Sequence, residues 1–111
     1  MKMIARIWRT QIDPSRAEDY RRFAHSQSLP MFREQPGFVG VLFAANLAER
    51  AVITLWRDAA AAQRLDQSET YRSTVAEIEA TGFLRGESSV EVFELEGFFL
   101  EDTAARSGKV S

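Results

Sequence analysis

The stretch VLFAANLAERAVITLW, Val41 to Trp56, decides the fold. Two runs of β-prone residues flank NLAER, which reads as a turn, so the stretch is an antiparallel hairpin. Its alternation is unusual. Val41, Phe43 and Ala45 share one face, with Leu42 and Ala44 on the other. On the return, Val52, Thr54 and Trp56 oppose Ala51, Ile53 and Leu55. A hairpin with one wet face alternates apolar with polar residues, and this one is apolar on both. A chain of 111 residues therefore has two faces of one sheet to cover.

Upstream, KMIARIWRTQI (Lys2 to Ile12) reads as a strand, with Met3, Ala5 and Ile7 alternating against Ile4, Arg6 and Trp8. DPSRAEDYRRF then announces a helix. Asp13 can cap free amides, Pro14 suits the first helical position, and Glu18 and Asp19 favour the positive end. Ala17, Tyr20, Phe23, Ala24, Gln27 and Met31 fall on one side at helical spacing. Pro30 is expected to bend or end that helix, leaving MFREQ as a short further turn. Pro36-Gly37 then leads into the hairpin.

Downstream, Asp58 caps AAAAQRL, and Ser68 restarts the helix after a break. Tyr71, Val75 and Ile78 share one side until Gly82 ends it. The last strand runs from about Ser89 to Leu95. The order β-α-β-β-α-β predicts an α+β, ferredoxin-like fold with a four-stranded antiparallel sheet. One domain is expected over residues 1–100, followed by a polar tail, residues 101–111, expected to be mobile.

In that fold both helices pack on one face of the sheet, and no further helix is available for the other. Burying a leucine-sized side chain stabilises by roughly 1.5–3 kcal/mol, so several bare ones form a strong driving force. An identical sheet from a second chain would serve, since two-fold pairing is the commonest way to bury such a surface. Gly97-Phe98-Phe99-Leu100, beyond the last strand, also needs a partner. The expectation is a homodimer with sheets face to face.

Composition removes several classes. Lysine and arginine number 14 against 16 acidic residues, a net charge of −2 with no basic stripe, which argues against nucleic acid as a partner. With no cysteine, disulfides, thiolate metal sites and cysteine nucleophiles are excluded. No apolar run has membrane-spanning length, and the N-terminus meets Arg6 too early for a signal peptide, so a cytoplasmic protein is expected. The six glycines are dispersed and make no GxGxxG phosphate loop.

The run FREQPGFVGVLF, then AVITLWRDAAAAQRL, then GFL and a terminal VEVFEL, resembles the antibiotic biosynthesis monooxygenase family over nearly the whole chain to Leu95. The marks are PGF opening the second strand and a strand-end LW followed by a polar residue and a helix. The resemblance implies a dimeric α+β barrel, which the burial argument reaches independently. It also implies oxygenation of a polycyclic phenol or quinol without metal or flavin, hence no cofactor, or alternatively haem degradation. The haem-degrading branch carries an asparagine on the first strand, and a tryptophan and a haem-ligating histidine on the second helix. The matching positions here are Ile7, Leu65 and Val75, none of which can ligate iron.

Oxygenation of that kind needs a site for a small, flat aromatic, an anion-stabilising group and a path for a proton. Trp8, Phe23, Phe43 and Trp56 are candidate pocket walls, and Tyr20 and Tyr71 candidate hydroxyl donors; each is equally a core or interface aromatic. His25, the only histidine, is the candidate base, although helical geometry sets it roughly 130° from the apolar stripe. Arg6, taken to lie on the dimer-facing side, is expected to pair with Glu91 or Glu94 of the last strand, with anion binding as the alternative role. The opposing reading is a non-catalytic dimeric barrel that binds a small hydrophobic ligand or has a structural role. An isomerase or lyase would need a histidine or carboxylate pair in the pocket. A cavity between sheet and helices with at least two converging polar groups separates the readings.

Overall fold

The structure, a computed structural model, describes residues 2–99 and residue 101. The hairpin forms with the register that its alternation requires. β2 (Phe38–Asn46) and β3 (Glu49–Trp56) pair antiparallel, with Val41 opposite Thr54, Phe43 opposite Val52 and Leu42 opposite Ile53. β1 (Ile4–Ile12) and β4 (Leu84–Glu94) complete a four-stranded antiparallel sheet in the order β2-β3-β1-β4. The fold is α+β and ferredoxin-like, as the order of elements predicts. The tail expected from residue 101 onward lies, but for Glu101 itself, outside the described residues.

The helices form where their caps stand. Asp13 accepts from the Ser15 amide and opens a single 3-10 turn, Pro14–Arg16, which leads into α1 (Ala17–Phe23). Asp58 accepts from the Ala61 amide at 2.9 Å and starts α3 (Ala59–Gln67). Ser68, in extended conformation, accepts from the Tyr71 amide and starts α4 (Glu69–Ala80). Each supplies an acceptor to amides that the first helical turn leaves unpaired.

Pro30 does not end the first helix. The chain passes through a π turn, Ala24–Ser28, in which the Leu29 amide bonds the Ala24 carbonyl five residues back, and continues as α2 (Leu29–Arg33). The wider turn places Pro30 at the start of the next α segment, where a missing N–H is tolerated. Phe32 is buried beside Met31, while Gln27, expected on the apolar side, is exposed.

β4 begins at Leu84 rather than near Ser89. Its early residues are polar, so alternation does not mark them. Its register with β1 also shifts, from Arg9 opposite Ser89 to Gln11 opposite Arg85, around Gly86 at φ +71°.

The helices cover the face carrying Ile4, Trp56 and Val52, and Trp56 is 0% exposed in that core with Leu65 and Phe32. A second cluster joins Ile12, Tyr20, Ile78 and Phe83. Among the described residues no helix covers the opposite face. Leu42 is 52% and Phe93 49% exposed there, beside half-buried Ile7, Ile53 and Leu55. Val90 and Val92, opposite Trp8 and Arg6, share the helix side of the sheet but lie beyond the helices and are exposed, as are Phe98 and Phe99.

Candidate functional site

A cavity of about 40 Å³ lies between sheet and helices. β1 contributes Arg6 and Trp8, β2 Phe43, and β3 Val52 and Thr54, all inward-facing positions of their strands. Tyr20, Ala24 and Ser28 close it from α1 and the π turn, and Met31 and Phe32 from α2. Tyr71, Thr74, Val75 and Ile78 line it from α4. The lining is largely apolar, with polar groups placed singly, the usual composition of a small-molecule site.

The polar end is built around Arg6. Its side chain is 6% exposed, and its Nη2 donates to Asp66 Oδ1 at 3.0 Å and to the Tyr71 hydroxyl at 2.9 Å. The guanidinium carbon stands 5.1 Å from the Tyr71 ring centroid. Asp66, the last acidic residue before the α3–α4 break, is itself 56% exposed. This corrects the reading of β1. Arg6 points toward the helices, and its carboxylate comes from Asp66, not from Glu91 or Glu94. Glu91 pairs instead with Arg9 on the open face, and Glu94 stands opposite Ile4.

Tyr20 is buried, and burial pushes its hydroxyl up to about 12, so it holds its proton at neutral pH and can only donate to an anion. Thr54 is already engaged: it accepts from Trp56 Nε1 at 2.8 Å and donates to the Arg6 carbonyl at 3.3 Å. The Tyr71 hydroxyl accepts from Arg6 and keeps its own proton to donate.

Of the aromatics proposed as walls, Trp8 and Phe43 line the cavity. Trp56 and Phe23 do not. Trp56 is sealed behind the wall, edge-on to Phe38 at 5.7 Å, because the inward face of β3 is deepest at its C-terminal end. Phe23 packs edge-on to Phe83 at 6.5 Å in the second cluster. His25 is exposed, but its ring lies 5.3 Å from that of Phe43, on the π turn whose Ala24 and Ser28 line the cavity. It sits at the rim rather than inside. Of the positions matched to the haem-degrading branch, Val75 lines the cavity, Leu65 is buried and Ile7 lies on the open face. Met31, Phe32, Ser28 and Thr74 are lining residues that the sequence did not single out. Among the described residues no three histidine, aspartate or glutamate side chains gather to hold a metal ion, and no helix is long and apolar enough to cross a membrane.

No protein-family model and no curated protein matches the sequence. Solved structures do match in fold. The NE2512 protein of Nitrosomonas europaea, of unknown function, has a TM-score of 0.74 at 20% identity, over 91% of this chain and 96% of its own. The monooxygenase ActVA-Orf6 of Streptomyces coelicolor, solved with the ligand Nanaomycin D, has a TM-score of 0.72 at 15% identity, over 90% of this chain and 93% of its own. SnoaB of Streptomyces nogalater, a cofactor-independent oxygenase, has a TM-score of 0.67 at 19% identity, over 91% of this chain and all of its own, 100%. The likeness is one of fold, the fold found in the antibiotic biosynthesis monooxygenases.

Proposed function

We propose that the protein is an oxygenase of the antibiotic biosynthesis monooxygenase type, acting as a homodimer on a quinol or polycyclic phenol without metal or flavin. The observation that carries the reading is the cavity, where Trp8, Phe43 and Phe32 offer flat walls and Arg6, Tyr71 and Tyr20 bring polar groups to bear. Two structures of the same fold, described above as a monooxygenase and a cofactor-independent oxygenase, support it as analogy.

The chemistry draws its electrons from the substrate. Loss of a proton from an anthrone-like ring gives an electron-rich anion that reduces dioxygen. A carbon–oxygen bond then forms to give a peroxide, and loss of water leaves the quinone. One dioxygen is consumed per substrate, with one oxygen atom retained in the product and one released as water. The protein has to hold the ring, favour the anion and pass on a proton. Tyr20 and Tyr71 are the hydroxyl donors of this reading, and His25, at the rim, accepts the proton that leaves. Drug-sized ligands occupy pockets of about 300–1,000 Å³, so the walls part to admit one. The π turn is the element to move, since irregular helical turns recur at functional sites.

Oxygen uptake by chelator-treated protein, measured on hydroquinones, naphthoquinols and anthrones beside no-protein controls, tests the reading. Protein-dependent uptake of one dioxygen per substrate on at least one scaffold is expected, reduced at least about tenfold, or about 1.4 kcal/mol, in Tyr71→Phe. No uptake on any scaffold moves the weight to the second reading, a dimer that binds a small hydrophobic ligand. The exposure of His25 favours that alternative, because no histidine or carboxylate lines the cavity among the described residues.

A further inference from the structure

We propose that Arg6 makes the cavity a seat for an anion, so that it takes aromatic ligands bearing an ionised oxygen in preference to their neutral forms. The inference rests on the reading above only for where the ligand sits. Both hydrogen bonds of the Arg6 guanidinium leave from Nη2. Nη1 and Nε have no protein partner among the described residues, yet no sealed side-chain nitrogen lacks one. Those two nitrogens therefore reach open space, and Arg6 lines the cavity. A guanidinium presents five N–H donors in a fixed fork and no acceptor.

Its counter-charge is weak. Asp66, the carboxylate it touches, is 56% exposed and shared with water, whereas the Arg6 side chain is 6% exposed. A nearly buried cation held by a solvated carboxylate retains a field directed into the apolar space beside it. No acidic residue lines the cavity among the described residues to oppose an incoming anion. The remaining titratable groups that face the space, Tyr20 and Tyr71, are hydroxyls able to donate to the same oxygen. The substrate class that follows is a phenol or enol acidic enough to ionise on binding, or an aromatic carboxylate.

Nitrophenols test this directly, because their colour reports ionisation. 4-Nitrophenol and 4-nitro-1-naphthol are titrated by absorbance, free and with the full-length protein, and 4-nitroanisole binding is measured by calorimetry as the neutral counterpart. The bound phenol is expected to ionise at least about one pH unit lower than the free one, a tenfold preference for the anion. 4-Nitroanisole should bind correspondingly more weakly. Arg6→Met should abolish the shift, and Asp66→Asn, at an exposed position, should enlarge it by freeing Arg6 from its competitor. A purely structural ion pair predicts no such gain. Where Arg6→Met does not fold, Asp66→Asn decides. An unchanged or raised ionisation point, ether binding as tight as phenolate, or no binding of any probe would overturn the seat. An anion preference without oxygen uptake retires the oxygenase reading and keeps the seat; uptake without the preference does the reverse.

Discussion

Gly37 and Tyr20 are the residues whose physics is most sharply set. Gly37 has φ +83°, and a Cβ built there would meet the Cβ of Ala61 at the start of α3. Its carbonyl also accepts from the Arg57 amide at 2.8 Å, which fixes the crossing of β2 and the α3 entrance. Gly37→Ala should therefore cost about 2–4 kcal/mol, combining left-handed strain with overpacking, read as a lower urea midpoint. Tyr20 gives a pH signature. Its hydroxyl titrates near 12 in the fold against an ordinary 10.0. Between those values the unfolded chain loses the proton and the folded chain keeps it, so stability falls as pH rises. The loss is about 2–3 kcal/mol from this group and levels off only as the pH rises through the folded-state value. Tyr20→Phe should flatten that stretch of a stability-versus-pH curve, and an identical slope would refute the assignment.

At the scale of elements, what was legible is local. Asp58 and Ser68 cap the helices they were read to cap, and Asp13 caps the 3-10 turn that leads into α1, because capping depends on residues within one turn. Asp58→Ala and Ser68→Ala should each lower stability by about 1 kcal/mol, seen in thermal midpoints, with helix content otherwise kept. What was not legible needs a third dimension. Both faces of β1 carry apolar residues, so periodicity could not say which one meets the helices, and Arg6 was assigned to the wrong side. Its partners Asp66 and Tyr71 lie 60 and 65 residues away, on either side of the α3–α4 break. Pro30 was read as a bend or a stop, and the π turn ahead of it was missed because such a turn leaves no mark in residue spacing. The aromatic content of the site was visible as residue types, but whether a given ring lines the cavity or plugs the core depends on depth along its strand. Trp8 and Trp56 divide on that point alone.

For the whole molecule, the open sheet face dominates. Leu42 and Phe93 stand half exposed on it, and the Phe98 and Phe99 side chains project beyond β4. If a second copy covers this face, Leu42→Glu should convert the assembly from dimer to monomer in sedimentation velocity at micromolar concentration. Burying an unpaired carboxylate in an apolar contact costs several kcal/mol. A monomeric wild-type protein would remove the premise. The face is not uniformly apolar, since Arg9 and Glu91 form an ion pair across β1 and β4.

The two tryptophans have an optical consequence. Trp56 is fully buried with its indole N–H held by Thr54, while Trp8 is half-buried on the cavity wall. Intrinsic fluorescence should therefore carry a blue-shifted component from Trp56 and a second, from Trp8, that a bound aromatic quenches by direct contact. Trp8→Phe leaves the first alone, and Trp56→Phe isolates the second, giving the protein a built-in gauge of cavity occupancy that needs no label.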